Sequence, residues 1–548
     1  MKNISNACLI SRRSLVPPAS TWHSGNIIAF SHLDGLTDYR QGIIIRTTKD
    51  GLSICHPAEL QLSFTLTGPI IESRITNDWF EVYNENGESI RGVLIDAHHL
   101  LLEGPIEFKE NAPELLTFKN GDKTLIGNTT HFSPKLINLS FDSTAAERLH
   151  WLQENKIHGR NVTEKAQYSF IRALSQMKGQ VCSPEGKIQS AWTTPDRWPH
   201  RNMWLWDSAF HAIGWRHIAP QLAQEMLSAM LSVQNADGFI PHMASPDECS
   251  EITQPPVLAL AAQLVFEKSQ DTSWLETIYP QLCAYVDWNA AHRDKDGAGL
   301  LEWYIEDNPD CRSGESGMDN SPRFDKTIAL DATDFNAYQA GEYEILAQFA
   351  SQLGMQDEAL KWETHHKDLC SKINEKLWSE TDGLYLDLDQ SNGKLSKVFS
   401  SSSFLPLYCG APDARRASRL AEHLTNPNTF GTAFPVPSVV SSDTESFYSK
   451  DMWRGPTWIN INWMIARGLR RYGYNTEAEM IRTKTLAEIE RTCKKWGTFF
   501  EYFDDKLEVE PPALLRKGKN IPRDRSHQVV HDYGWTATLY IDWLLNEE

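Results

Sequence analysis

Paired cysteines are missing. Nine cysteines are strewn singly between Cys8 and Cys493, an odd count with no Cys-x-x-Cys among them. That spacing argues against a disulfide framework or a zinc site and for a reducing compartment, so cytoplasmic residence is expected. Long apolar runs are missing too. No stretch approaches the roughly 20 apolar residues of a membrane helix, so no membrane partner is expected. Met1 to Thr21 carries Arg12 and Arg13 but no apolar run of signal-peptide length behind them. Basic charge is in short supply, 53 Lys and Arg against 72 Asp and Glu, for a net charge of −19. A chain this acidic repels phosphate backbones, which sets nucleic acid aside as a partner. No fixed-length repeat occurs, which disfavours a regular solenoid.

What is present is size and tryptophan. A chain of 548 residues is too long for one ordinary core. Its 19 tryptophans fit a large aromatic core, and equally a sugar site, because pyranose C–H faces stack on indole rings. The first part reads as β. Leu62, Phe64 and Leu66 alternate with Ser63, Thr65 and Thr67, Ile43 to Ile45 precedes a turn at Lys49-Asp50-Gly51, and Asn86-Gly87 and Asn120-Gly121 are hairpin signals. From about Thr163 the period is helical. Leu222, Met226 and Met230 follow Pro220 at four-residue spacing, as do Trp535, Leu539 and Trp543. Further helices are expected over residues 256–268, 273–292, 332–352, 356–377, 412–424 and 453–471, with a capping box at Thr476 to Glu479. The expected fold is a mainly α catalytic (α/α)6 barrel, residues 146–548, preceded by an antiparallel β-sandwich, residues 1–145. The sandwich carries no catalytic grouping and reads as an accessory domain that supports the structure or shapes the substrate site.

Four loop clusters carry the unusual residues. Between Pro195 and His211 stand six charged or imidazole groups and three tryptophans. Asp207 can bond sugar hydroxyls beside Trp206, or simply cap the helix that begins there. Gly314 to Asp325 holds Glu315, Asp319, Arg323 and Asp325, with Met318 and Phe324 marking the loop as packed. Asp451 to Trp458 puts Arg454 among Trp453 and Trp458, as a stacked structural cation or part of a sugar site. Trp496 to Asp504 sets Glu501 inside an aromatic run, where burial raises a carboxyl pKa; a satisfied buried group is the competing reading.

These phrases, in this order, resemble glycoside hydrolase family 63, in particular its bacterial members and the related mannosylglycerate and glucosylglycerate hydrolases. The resemblance rests on Trp206-Asp207-Ser208-Ala209-Phe210-His211, Glu315-Ser316-Gly317-Met318-Asp319-Asn320-Ser321-Pro322-Arg323, Trp453-Arg454-Gly455-Pro456-Thr457-Trp458, Phe500-Glu501-Tyr502 and the closing Asp532-Tyr533-Gly534-Trp535-Thr536-Ala537. It runs from about residue 160 to the end. It implies an inverting hydrolase with Asp319 as general acid and Glu501 as general base, and sets Trp206, Asp207, Arg323, Trp453 and Arg454 at sugar-binding or loop-positioning places; Trp458 and Trp496 are also expected beside the sugar. Glu315 is the alternative acid, or bonds neighbouring backbone. A terminal α-linked sugar is the expected substrate, α-glucosides first and α-mannosides second, and the aromatic-rich loops argue for a closed pocket. Inversion demands two carboxyls about 6.5–9.5 Å apart in different protonation states, so the fold has to bring Asp319 and Glu501 face to face.

The polar stretch from Asp504 to Arg525, with Arg516, Lys517, Lys519, Arg523 and Arg525, departs from the family. It reads first as a solvated surface loop, with a lid, a subunit contact or an anchor for an anionic aglycone as alternatives. Asp294 to Glu302 resembles a calcium loop, but Ala298 stands where an oxygen ligand is needed. A tight turn is the preferred reading over a structural calcium at Asp294 and Asp296; no catalytic cofactor or metal is expected, and the partner is a small carbohydrate. Rival functions are a trehalase-like or glycerate-glycoside hydrolase, a phosphorylase, and a non-catalytic carbohydrate-binding protein.

Overall fold

The computed structural model describes Trp22, residues 25–440, residues 447–522, Asp524 and residues 526–546. The expectations for Met1 to Thr21, Arg523 and Arg525 lie outside the described residues. Among the described residues, eleven strands build the first unit. One sheet runs in the order β1 (Ile27–Ala29), β2 (Ile44–Thr48), β3 (Gly51–His56), β4 (Leu60–Phe64) and β9 (Ile106–Phe108). The other runs β10 (Leu115–Asn120), β11 (Lys123–Asn128), β8 (His99–Glu103), β7 (Ser89–Asp96), β6 (Trp79–Asn84) and β5 (Ile70–Ile75). Their pairings are antiparallel. The expected turns are where the hairpins form: Lys49-Asp50 joins β2 to β3, Asn86-Gly87 joins β6 to β7, and Asn120-Gly121 leads from β10 into β11. Gly87 and Gly121 have φ of 77° and 63°, which a residue with a Cβ rarely adopts.

Side-chain alternation gives the second sheet two buried faces. Leu94, Leu100, Leu102 and Ile126 meet Ile45, Leu52, Ile54 and Leu62 across the sandwich. Val93, Leu101 and Leu125 point the other way and are covered by Phe141, Ala145 and Leu149 of α1 (Phe141–Asn155). The boundary expected at 145/146 falls inside this helix.

Among the described residues, twelve further helices alternate between an inner and an outer layer. The inner helices are α3 (Leu205–Trp215), α5 (Leu258–Ser269), α7 (Thr333–Gln352), α9 (Pro406–Cys409), α11 (Ile459–Arg471) and α13 (Gly534–Leu545). The outer ones are α2 (Glu164–Gly179), α4 (Pro220–Ser232), α6 (Thr272–His292), α8 (Gln356–Lys372), α10 (Ala414–Thr425) and α12 (Asn475–Trp496). Each inner helix packs on the next, and α13 packs back on α3, so the ring closes. The fold is an (α/α)6 barrel behind a β-sandwich. Inner helices are buried over most of their surface, as a doubly covered layer demands: every residue of α3 is buried.

Local chemistry explains several ends. Pro220 opens α4, and Asp271 and Asp413 cap α6 and α10 through Trp274 N at 3.0 Å and Arg416 N at 2.8 Å. Two helix expectations need correction. The helix expected from residue 453 begins at Ile459, because Gly455-Pro456 breaks the backbone ahead of it. The box at Thr476 to Glu479 does not cap: α12 starts at Asn475, and Glu479 pairs with Arg482 at 2.9 Å.

Candidate active site

The loops at one end of the barrel meet over a narrow cavity of about 50 Å³. Asp319 and Glu501, more than 180 positions apart in the chain, both line it, together with Trp206, Asp207, Trp453 and Trp458. A larger cavity of about 610 Å³ at the seam between sandwich and barrel holds neither Asp319 nor Glu501.

Tryptophans form the cavity's frame. Trp453 and Trp458 stack with centroids 3.8 Å apart and planes 4° from parallel, and Trp535 stands edge-on to Trp206 at 5.1 Å. Gly317 lets the Asp319 loop lie against this frame. Its φ is 70°, and a Cβ there would come within 2.3 Å of the Trp206 ring. Asn320 then ties the loop to the next cluster by accepting from Trp453 N at 3.0 Å.

Asp207 is not a helix cap. Trp204 holds that position without a side-chain bond, and Asp207 lies in the first turn with Oδ1 buried and without a partner among the described residues. Burial, then the charges of Asp196 and Glu501, push its pKa well above the usual carboxylate value. Glu501 is 3% exposed. Oε1 lies 3.3 Å from Arg516 Nη2, and Oε2 accepts from Val530 N at 3.4 Å. Burial raises the Glu501 pKa, and Arg516 and His200 oppose that rise. Asp319 is likewise raised by burial, opposed first by Lys517 and then by Arg516.

Five sequence expectations are corrected. Glu315 is fully committed elsewhere: Arg293 grips both its oxygens at 2.6 and 3.0 Å, and Tyr304 N and Thr253 N donate to them, so it is no alternative acid. Arg323 is fully buried away from the cavity, clamping Asp334 at 2.5 and 2.7 Å and Asp387 at 2.7 and 2.8 Å. Arg454 turns outward to Asp325. Trp496 ends α12 and donates to Glu510 at 3.1 Å, outside the cavity lining. The Asp504 to Arg525 stretch is no solvated loop at its centre, since Arg516 is buried and reaches Glu501.

The cavity also takes His200, Trp204, Gln254, Arg516, Tyr533 and Trp535. His200, Trp204, Tyr533 and Trp535 lie inside the phrases singled out from sequence. Gln254, which accepts from Trp206 N at 3.3 Å, belongs to no such phrase and had no signal.

Away from the cavity, Asp296, Glu302 and Asp331 bring carboxylate oxygens within 4.8 Å of one another. The Gln390 amide bridges Glu302 and Asp331, donating at 2.8 Å to each, while Asp294 and Asp296 accept from Gly299 N and Ala298 N as turn-forming side chains.

Comparison with known proteins decides the family. The profile of the mannosylglycerate hydrolase MGH1-like glycoside hydrolase domain matches residues 200–536. The chain belongs to this family. The glycosidase is similar to the mannosylglycerate hydrolase of Rubrobacter radiotolerans, 28% identical over 440 residues, which cover 64% of this chain and 92% of the relative. A crystal structure of the glycoside hydrolase family 63 mannosylglycerate hydrolase from Thermus thermophilus, in complex with glucose, matches at 26% identity. It covers 68% of this chain and 98% of its own, with a TM-score of 0.56. A bacterial glucoamylase shares only 10% identity but covers 96% of the glycosidase and 94% of its own chain, at a TM-score of 0.61, so the likeness of fold extends over the sandwich as well as the barrel.

Proposed function

We propose that the glycosidase removes a terminal α-linked hexose from a small glycoside or oligosaccharide with inversion, Asp319 acting as general acid and Glu501 as general base. One observation carries the assignment: the two carboxyls share a cavity, and of the two it is Glu501 that has a cation in direct contact. Glu501 makes an ion pair with Arg516 at 3.3 Å, and Asp319 makes none within 4 Å among the described residues. A cation in contact favours the ionised form a base needs, while burial without such a contact favours the protonated form an acid needs. Asp319 would protonate the leaving oxygen as Glu501 takes a proton from the attacking water. Trp206, Trp453 and Trp458 supply stacking faces for the ring, and Asp207 Oδ1 supplies an acceptor for a hydroxyl. The reaction uses no cofactor. The names of the relatives put glycerate-linked α-mannosides and α-glucosides in the assay panel, and the free cysteines among the described residues favour a cytoplasmic setting.

The test is sugar release from that panel, with NMR reading the anomer of the fresh product. A β-anomer from an α-linked substrate is expected. An α-anomer would overturn inversion, and no release from any member while sugars still bind would make this a binding protein.

A further inference from the structure

Arginine has hydrogen-bond donors only. Arg516 Nη2 nevertheless faces two groups: Glu501 Oε1 at 3.3 Å and His200 Nε2 at 3.4 Å. For the second contact to be attractive, His200 Nε2 has to present its lone pair. The ring proton then sits on Nδ1, where the other half of the geometry wants it, because Asp196 Oδ2 lies 2.7 Å away. Asp196 is itself fixed, its Oδ1 accepting from His200 N at 2.9 Å and its side chain wholly buried. Arg516 Nε is buried without a partner among the described residues, so the contacts at Nη2 are what hold the guanidinium head in place.

We infer that His200, oriented by Asp196, is a positioning residue that holds Arg516 against Glu501 and does so only as the neutral Nδ1–H tautomer. The inference rests on the proposed role of Glu501 as base. The charged and titratable groups around the ring are Asp196 on its own loop, Arg516 on the 504–525 stretch, Glu501 after α12, Asp319 before α7 and Tyr533 before α13, whose ring lies 6.3 Å from that of His200. Protonating Nε2 sets an N–H against the Nη2 donor and a cation against a cation. Arg516 then loses the acceptor that helps hold it at Glu501, and the base loses its positioning. Acidification therefore disarms the base twice, once by a proton on His200 that displaces Arg516 and once by a proton on Glu501 itself.

The experiment is the acid limb of kcat/KM against pH, on whichever panel member the wild type hydrolyses, for wild type and His200→Gln. Glutamine keeps a neutral acceptor at reach of Nε2 and cannot titrate. The wild type is expected to lose up to about 100-fold per pH unit below its midpoint, and the variant about 10-fold, as two protons become one. Slopes come from normalised rates, so they do not depend on how much of the variant folds. Equal slopes would overturn the inference. Nitrogen-15 shifts of the His200 ring in the wild type at neutral pH, assigned by their loss in His200→Gln, give a second reading that needs no turnover. Nδ1–H is expected, and an Nε2–H tautomer or an imidazolium would overturn it. If no panel member is cleaved, the proposed function falls, while the tautomer still decides the chain from Asp196 to Glu501.

Discussion

At the scale of single residues, polar side chains divide by what faces them. Asp319 and Glu501 look into the cavity, whereas Arg323, four positions after Asp319, is spent on Asp334 and Asp387. Asp319→Asn and Glu501→Gln are each expected to lower kcat by about 10²–10⁴-fold, with sugar binding kept, as steady-state kinetics and calorimetric titration will show. Arg323→Met is expected to act on stability instead. It strands two buried carboxylates and costs about 3–5 kcal/mol in a denaturant melt, with KM of the remaining folded enzyme little changed. The tryptophan phrases stood out in the sequence, and Asp319 and Glu501 were singled out by the resemblance of their phrases, taken in chain order, to a known family. Partnerships were not legible there. Glu315 and Arg454 each had a structural and a chemical reading, and the fold decided between them by pairing Glu315 with Arg293 and Arg454 with Asp325, since a sequence shows a charge but not what stands opposite it.

At the scale of elements, helix starts show the same division. Pro220 and Asp271 announce their helices locally, but α5 has Val257 at its N-cap with no side-chain bond. Its cap comes from a different inner helix: Glu342 of α7 accepts from Ala259 N at 2.7 Å and Leu260 N at 3.0 Å. No local pattern reveals a cap lent across the ring. Burial lifts Glu342 from 4.5 to about 7, against the pull of those two N–H groups. A raised carboxyl gives its full stability below the unfolded value and loses it as pH climbs through the folded one. Glu342→Gln, which does not titrate, is therefore expected to gain on wild type by about 3 kcal/mol between pH 4.5 and 7.5, read from urea melts at several pH values. Glu342→Ala leaves both amides bare and is expected to cost about 2–6 kcal/mol at pH 4.5, a cost that shrinks by about 3 kcal/mol by pH 7.5 because alanine does not titrate either.

At the scale of the whole molecule, sandwich and barrel share a seam of buried polar contacts. Lys178 at the end of α2 pairs with Asp34 at 2.7 Å and with Asp78 at 2.6 Å, and Arg172 donates to Ile75 O and Gly497 O, both at 2.9 Å. The two halves are expected to melt together in one calorimetric transition. Lys178→Met, which takes the cation from Asp78 and leaves Asp34 with Arg148 at 3.6 Å, is expected to cost about 3–5 kcal/mol and to split that transition in two. The division into a β part and an α part was readable from the change of period near residue 160; the seam was not, because its members come from segments with no pattern in common.

The seam includes one bond between distant parts of the chain: Ile27 N of β1 donates to Asp532 Oδ2 at 2.7 Å, one residue before Tyr533 of the cavity. On a ribosome the donor emerges some five hundred residues ahead of its acceptor. The sandwich therefore has to wait, with Ile27 N unmet, for the last segment of a barrel that closes only when α13 joins α3. The cavity itself is complete only once Tyr533 and Trp535 have taken their places in it.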